Sequence, residues 1–335
     1  MSTNLYKTYN KIIKSIIIIV SIYFLIDQLF MKQDIKDVYV SFFKVVDTND
    51  ALILFLITLF AMPINWSLEA IKWKYLLKDT EYITFSTALK AIFSGATISA
   101  VTPNRTGDYL ARVFVLKKTG FWQGVLITLI GSYAQIIVTL LMGGLAFFAL
   151  FIPKLIEIKI LPNSTLFYLE ILFFIVLAIA LLLYYRISIL TSIIPKKWRR
   201  VRIIVYIFKR FKFKDLSVVL ALSLTRYLLY SFQFYLILLA VGFKDLSIIH
   251  GMALISSIFL LNMLRPSIAL LEIGIRGSVA IFIFGLYYGN AVNYQNDVFA
   301  ASSIIWIINI VLPAIIGLFF INDLKFFTKK TNNDR

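Results

Sequence analysis

Two clusters of charge stand in a chain that is otherwise oily. The first is Pro103-Asn104-Arg105-Thr106-Gly107-Asp108-Tyr109-Leu110-Ala111-Arg112. The second is Arg265-Pro266, followed by Glu272-Ile273-Gly274-Ile275-Arg276. In each a proline breaks the chain, and an acid precedes an arginine by four residues, which puts both on one helical face. Asp108, close to a helix start, also suits the positive end of the helix dipole. A guanidinium grips a phosphate bidentately, so Arg105, Arg112, Arg265 and Arg276 offer phosphate sites. Asp108 and Glu272 are expected to temper that grip, or to hold an amine on the same headgroup. A third group, Asn65, Glu69, Lys72 and Trp73, follows helical spacing. Glu69 is expected to pair with Lys72, whose ammonium snorkels outward, while Trp73 anchors the interface. Arg226 lies midway along an apolar segment with no acid within one turn, so its partner must come from another helix, with Glu170 as one candidate. Charges at membrane depth are expensive. Asn65, Glu69, Arg105, Asp108, Arg112, Arg226, Arg265, Glu272 and Arg276 are therefore the expected binding site for a lipid headgroup.

Composition sets the class of element that must hold them. Of 335 residues, 60% are hydrophobic and only 15% charged, with Leu, Ile and Phe runs too long for a soluble core. The runs are long and do not alternate, so the expected fold is all-α, a polytopic integral membrane helical bundle rather than a barrel. Cysteine is absent and His250 is the one histidine. That leaves no disulfide, thiolate or histidine-rich metal site, and neither a cofactor nor a catalytic residue is expected. No Gly-x(4)-Gly-Lys-Ser/Thr loop occurs, so nucleotide-driven work is not implied. The net charge of +17 sits mainly in loops beside apolar spans. That is the positive-inside bias and not a nucleic-acid surface, and the anionic headgroups of membrane lipids are the expected partners.

The apolar segments run roughly 12–31, 51–71, 82–102, 121–152, 165–190, 215–241, 246–264, 267–289 and 298–321. Lys7, Lys11 and Lys14 precede the first, and no small-x-small cleavage site follows it, so it reads as an uncleaved span. Segment 192–214 carries nine lysines and arginines before Asp215. It is expected to lie as a basic amphipathic stretch on the cytoplasmic leaflet. Parity then constrains the path. If 82–102 crossed fully, Arg105, Arg112, Lys117 and Lys118 would face outward, and two further crossings would carry 192–214 outward too. If 82–102 dips in and returns through 104–118, the basic loops and both termini fall inside. The same count makes 246–289 a hairpin open to the outside, either two full spans or a re-entrant pair. Aligning Pro103 with Pro266 pairs Ser94 with Ser257, Ser99 with Asn262, Asp108 with Glu272 and Arg112 with Arg276, allowing one inserted residue. Oppositely facing hairpins make an inverted repeat, as in transporters with a midplane site. The expectation is one membrane domain over 1–335 with about six to eight transmembrane helices, one or two re-entrant or broken hairpins, and no soluble catalytic domain. Gln135, Gln233 and Asn309 read as interhelical hydrogen bonds. Gly131, Gly143 and Gly144 read as packing positions, and Trp122, Trp198 and Trp306 as interface or lipid-facing aromatics.

The Pro-x-Arg-x-Gly-acid-x(3)-Arg motif at 103–112, Asn-Trp-x(2)-Glu-x(2)-Lys-Trp at 65–73 and Glu-x-Gly-x-Arg-Gly at 272–277 are similar to those of a known family. They resemble the flippase-like transmembrane domain of lysylphosphatidylglycerol synthetases across nearly the whole chain. Asp108 stands where that family often has glutamate, so the acid is kept but shortened. In the full-length synthetases this domain moves lipid and a soluble C-terminal domain transfers lysine from charged tRNA. The chain ends at Arg335, soon after its last span, so the resemblance implies the translocating part without the synthase. Implied by the resemblance is a multi-pass protein of the bacterial cytoplasmic membrane, flipping an anionic or aminoacylated phospholipid or a related lipid-linked headgroup. The alternatives are a membrane-embedded transferase, or an accessory subunit for a neighbouring enzyme, in glycolipid or polyprenyl-lipid metabolism.

Overall fold

The computed structural model describes residues 12, 14–16, 19, 23, 48–100, 102, 105–157, 162–195, 197–264, 272–289 and 294–321. Among them there are twelve α-helices and no strand, so the all-α expectation holds. They are α1 (Asn49–Leu77), α2 (Phe85–Ala100), α3 (Gly107–Val113), α4 (Phe121–Glu157), α5 (Asn163–Tyr185), α6 (Leu190–Ile193), α7 (Arg199–Val205), α8 (Phe213–Val241), α9 (Ile248–Leu264), α10 (Glu272–Tyr288), α11 (Gln295–Trp306) and α12 (Leu312–Leu318). Helices α11 and α12 are joined through a π-helical turn, Ile307–Val311. Pro313 explains that turn. It has no N–H to give Asn309, four residues back, and its ring would crowd that carbonyl.

Five helical stretches are long and apolar enough to cross a membrane: α1, the 121–153 part of α4, α5 from Ser164, α8, and the α11–α12 rod. The expected first span at 12–31 lies, apart from a few residues, outside the described residues. Helix α2 has 16 residues and α3 only 7, or about 24 and 10 Å, against a hydrocarbon core of about 30 Å. Helices α9 and α10 have 17 residues each, about 25 Å.

Helices α1 and α8 form an antiparallel frame. At the end of α1, the Lys78 ammonium sits 2.5 Å from Asp215, which opens α8. Tyr75 donates its hydroxyl to the same carboxylate at 3.0 Å, and Arg210 reaches Asp79 O at 2.8 Å. We call this the basic end. Deeper in the pair, the Gln233 amide donates to Thr58 O at 2.9 Å, the interhelical bond expected of it. Helix α8 stops at Gly242, whose φ of 129° suits glycine, and Phe243 N turns back onto Leu238 O at 3.0 Å.

The two short helix pairs open at opposite ends of this frame. Glu81, just before α2, accepts backbone N–H bonds from Lys117, Lys118 and Thr119, just after α3, at 2.8–3.1 Å. The chain therefore leaves the basic end at 81 and is back at 117, and the α2–α3 pair is a hairpin that does not cross. At the far end, where α8 stops, the His250 ring near the start of α9 lies 5.7 Å from Tyr287 at the close of α10. The Phe243 ring lies nearby, tilted against Tyr288 at 6.4 Å. At 17 residues each, the antiparallel helices α9 and α10 stand at the short limit of a crossing helix.

Glu81 makes a testable fastener. Burial pushes its pKa up, but the Lys117, Thr119 and Lys118 amides outweigh burial and hold the carboxyl below its ordinary value. A depressed folded pKa contributes stability above the unfolded value and loses it as pH falls through the folded one. Hydrogen bonds to a charged acceptor are worth about 1.5–3 kcal/mol each. Glu81→Gln is therefore expected to lower the melting temperature in detergent at neutral pH. The gap to wild type should persist down to the ordinary carboxylate value of 4.5 and close below it. A melting difference that does not change between neutral and strongly acidic pH would refute the carboxylate pin.

Candidate functional site

The α2–α3 hairpin is built for close approach. A Cβ on Gly107 would fall 2.7 Å from Ile98 O, and one on Gly95 would fall 2.3 Å from Asp108 Oδ1. Only glycine leaves the room that brings the two arms together and lets the Asp108 carboxylate lie across α2. At the tip, Thr102 Oγ1 accepts from Gly107 N at 2.8 Å, ahead of α3. Arg105 holds φ 56°, the left-handed region that non-glycine residues seldom occupy, so the tip stores strain of about 1–3 kcal/mol.

This geometry carries Arg112 inward. Its guanidinium clasps Asp108 with Nε at 2.8 Å from Oδ1 and Nη2 at 2.5 Å from Oδ2, the expected i,i+4 pair. The remaining edge, Nη1, reaches Glu69 Oε1 on α1 at 2.8 Å. Glu69 is the hub. Its other oxygen meets Lys72 Nζ at 2.7 Å and Arg226 Nη1, on α8, at 3.3 Å. Lys72 also donates to Gly131 O on α4 at 3.3 Å. Glu69, Lys72 and Arg112 are all buried, at 5, 2 and 6% exposure. Three cations thus face two carboxylates, leaving the cluster with one net positive charge in the bundle interior.

Arg226 is the open member. Its side chain is 23% exposed, and its guanidinium lies 5.5 Å over the Trp66 ring, which stacks on Phe93 of α2. Arg226 Nε and Trp66 Nε1 are buried donors with no hydrogen-bond acceptor among the described residues. Alongside, Asn65 donates to Asn309 Oδ1 at 3.0 Å, at the π-helical turn, so Asn309 makes the interhelical bond expected of it. A π-turn beside a charge cluster is a common mark of a functional position.

Several sequence expectations are corrected. Lys72 does not snorkel; its ammonium is held between Glu69 and Gly131 O. Trp73 is no interface anchor; it is 1% exposed and donates its indole N–H to Thr128 at 3.1 Å. Trp306 is 2% exposed, because the α11–α12 rod runs inside the bundle, whereas Trp122 and Trp198 are exposed as expected. The partner of Arg226 is Glu69 rather than Glu170, since the antiparallel pairing of α1 with α8 sets Glu69 at the depth of Arg226, 3.3 Å away. Arg265, Pro266 and the Glu272 side chain lie outside the described residues, and Arg276 is half-buried in α10. Of the nine expected residues the structure thus brings together Glu69, Asp108, Arg112 and Arg226, with Asn65 one turn away. Glu81 went unnoticed, although an acid in a loop adjoining basic stretches was a usable signal.

Against individual curated proteins the chain finds no match. Residues 11–317 match the family described as "Lysylphosphatidylglycerol synthase TM region". The matched stretch takes in α1 to α11 and nearly all of α12, and so both hairpins and the whole charge cluster. The chain is therefore a membrane protein of lipid metabolism that belongs to the lysylphosphatidylglycerol synthase TM region family.

Proposed function

We propose that the protein translocates a lipid with an anionic or aminoacylated phosphate headgroup between leaflets, in a bacterial cytoplasmic membrane with both chain termini inside. One observation carries this reading: a buried cluster with net positive charge, at the base of a non-crossing hairpin, whose Arg226 keeps an unused N–H. A free cation at membrane depth is costly, and a passing phosphate would neutralise it. Glu69 and Asp108 already occupy most guanidinium edges, so a phosphate exchanges for a carboxylate instead of binding irreversibly. Hairpins open to opposite ends offer alternating access to such a site. An aminoacylated head would place its ammonium against Asp108, whose side chain is 22% exposed.

The test is purified protein in liposomes carrying trace headgroup-labelled phosphatidylglycerol, lysyl-phosphatidylglycerol or phosphatidylcholine, with leaflet exchange read by chemical quenching. Wild type should move the phosphatidylglycerol species faster than phosphatidylcholine. Arg226→Gln, which removes the open guanidinium, should reduce the rate at least tenfold while the protein stays folded. Equal exchange by wild type and Arg226→Gln would remove the proposal.

A further inference from the structure

Helix α8 carries a row of hydroxyls that the charge cluster does not use. Ser223, Tyr227 and Ser231 follow one another at four-residue steps, so they line one face, and Arg226 stands within a turn of Ser223. Ser223 and Ser231 are 0% exposed and Tyr227 is 3% exposed. Ser223 has no hydrogen-bond partner among the described residues, while the Tyr227, Ser231 and Ser256 hydroxyls lie within reach of one another. This is unusual for membrane helices. A helical Ser or Thr ordinarily satisfies itself on the carbonyl four residues back, as Ser217, Thr225 and Ser257 do here. Ser223 and Ser231 decline that bond, and a buried polar group without a partner is costly in an apolar surround.

Of the row, Tyr227 reaches a groove of about 420 Å³ between α4, α8 and α9, within the range of ligand pockets. Met142, Leu145, Ile249 and Met252 form its apolar walls, and Tyr227 and Ser256 supply its polar floor. Ile249, at the start of α9, is 77% exposed, so the groove is open at its mouth. Oily walls, the two hydroxyls of Tyr227 and Ser256, and the Arg226 guanidinium next to Tyr227 in the chain together match the three zones of a phospholipid.

We propose that this groove is the lateral binding site of a diacyl anionic phospholipid. Its acyl chain lies between α4 and α9, its ester and glycerol oxygens meet the Tyr227 and Ser256 hydroxyls, and its phosphate is directed at Arg226. The inference rests on the translocation reading for the direction of the head, and it adds which helices the lipid passes between. Methionine-rich walls suit a chain of variable shape.

The chain has no cysteine, so one introduced thiol is unique. A fluorophore on Ala146→Cys, in the groove wall, is compared with one on Leu172→Cys, which is 55% exposed on α5. Each labelled protein is placed in phosphatidylcholine bilayers containing the same small fraction of acyl-brominated phosphatidylglycerol or acyl-brominated phosphatidylcholine. The Ala146 label should be quenched at least twofold more by the brominated phosphatidylglycerol, and the Leu172 label equally by both. Tyr227→Phe with Ser256→Ala should abolish the preference at Ala146 and leave Leu172 unchanged. Equal quenching by both lipids at Ala146, a like preference at both labels, or a preference that survives loss of the hydroxyls would overturn the groove. Selective quenching without leaflet exchange would keep the groove and remove the translocation reading; exchange without selective quenching would do the reverse.

Discussion

Arg112→Ala is expected to abolish leaflet exchange and to destabilise the protein by about 3–5 kcal/mol, the usual effect of removing one partner of a buried ion pair. Arg112 closes two contacts at once, the fork on Asp108 and the bond to Glu69 at 2.8 Å. At that separation each attraction is worth roughly 4–6 kcal/mol with an effective dielectric near 20. Desolvating each ion costs several kcal/mol in return, so the intact cluster gains little net stability. The loss appears when one member goes and its partners stay buried. Removing Arg112 leaves Asp108 and Glu69 facing only Lys72 and Arg226 and detaches α3 from α1. Arg112→Lys separates the two effects. An ammonium keeps the charge but cannot bond both carboxylates in the fork geometry. It should recover at least half of the lost stability and less than a tenth of the exchange rate. Thermal melting in detergent, paired with the liposome assay, reads both. An Arg112→Lys protein as active as wild type would show that charge alone, rather than the fork, matters.

Glu69→Gln should be the other large lesion, and Lys72→Met its partial cure. Glu69 is the one acid that touches Lys72, Arg112 and Arg226, so removing its charge raises the cluster from +1 to +2 in the bundle interior. Like charges at such depth repel with little screening, and a loss of about 3–5 kcal/mol is expected. Glu69→Gln with Lys72→Met returns the cluster to +1 by removing one charge of each sign. Methionine has an apolar stem of similar length and leaves no buried ammonium behind. The double variant is expected to melt within a few degrees of wild type and to show strong coupling in a double-mutant cycle. Exchange should stay depressed, because Arg112 and Arg226 lose the carboxylate that tempers their hold on a phosphate. Two single lesions whose melting shifts simply add would show that Glu69 and Lys72 are not held as one unit.

Helical class and the pairing of Asp108 with Arg112 were legible in the sequence, because they rest on local rules. Apolar run length sets whether a helix spans, and i,i+4 spacing sets which side chains share a face. Even the non-crossing path of the α2–α3 hairpin followed from counting basic loops, a global constraint that needs no contact information. The partner of Arg226 followed no such rule. It depends on α8 lying antiparallel to α1 with Asp215 beside Lys78, which brings residues 157 positions apart into one ion pair. Lys72 and Trp73 were misplaced for the same reason: a span end reads as an interface until another helix is known to cover it.

By itself, the order of residues determined the solvent this protein lives in, its helical class and the acid–arginine pair on one helical face. Each is a property of one segment and of the water or lipid around it. Only the tertiary structure decided that Glu69 unites three cations, that the two short helix pairs open at opposite ends, and that Tyr227 of α8 joins α4 and α9 in a groove. Those are relations between helices, fixed by backbone approaches at Gly95 and Gly107 and by a carboxylate at Glu81 that ties residue 81 to residues 117–119. No run of neighbouring residues encodes them.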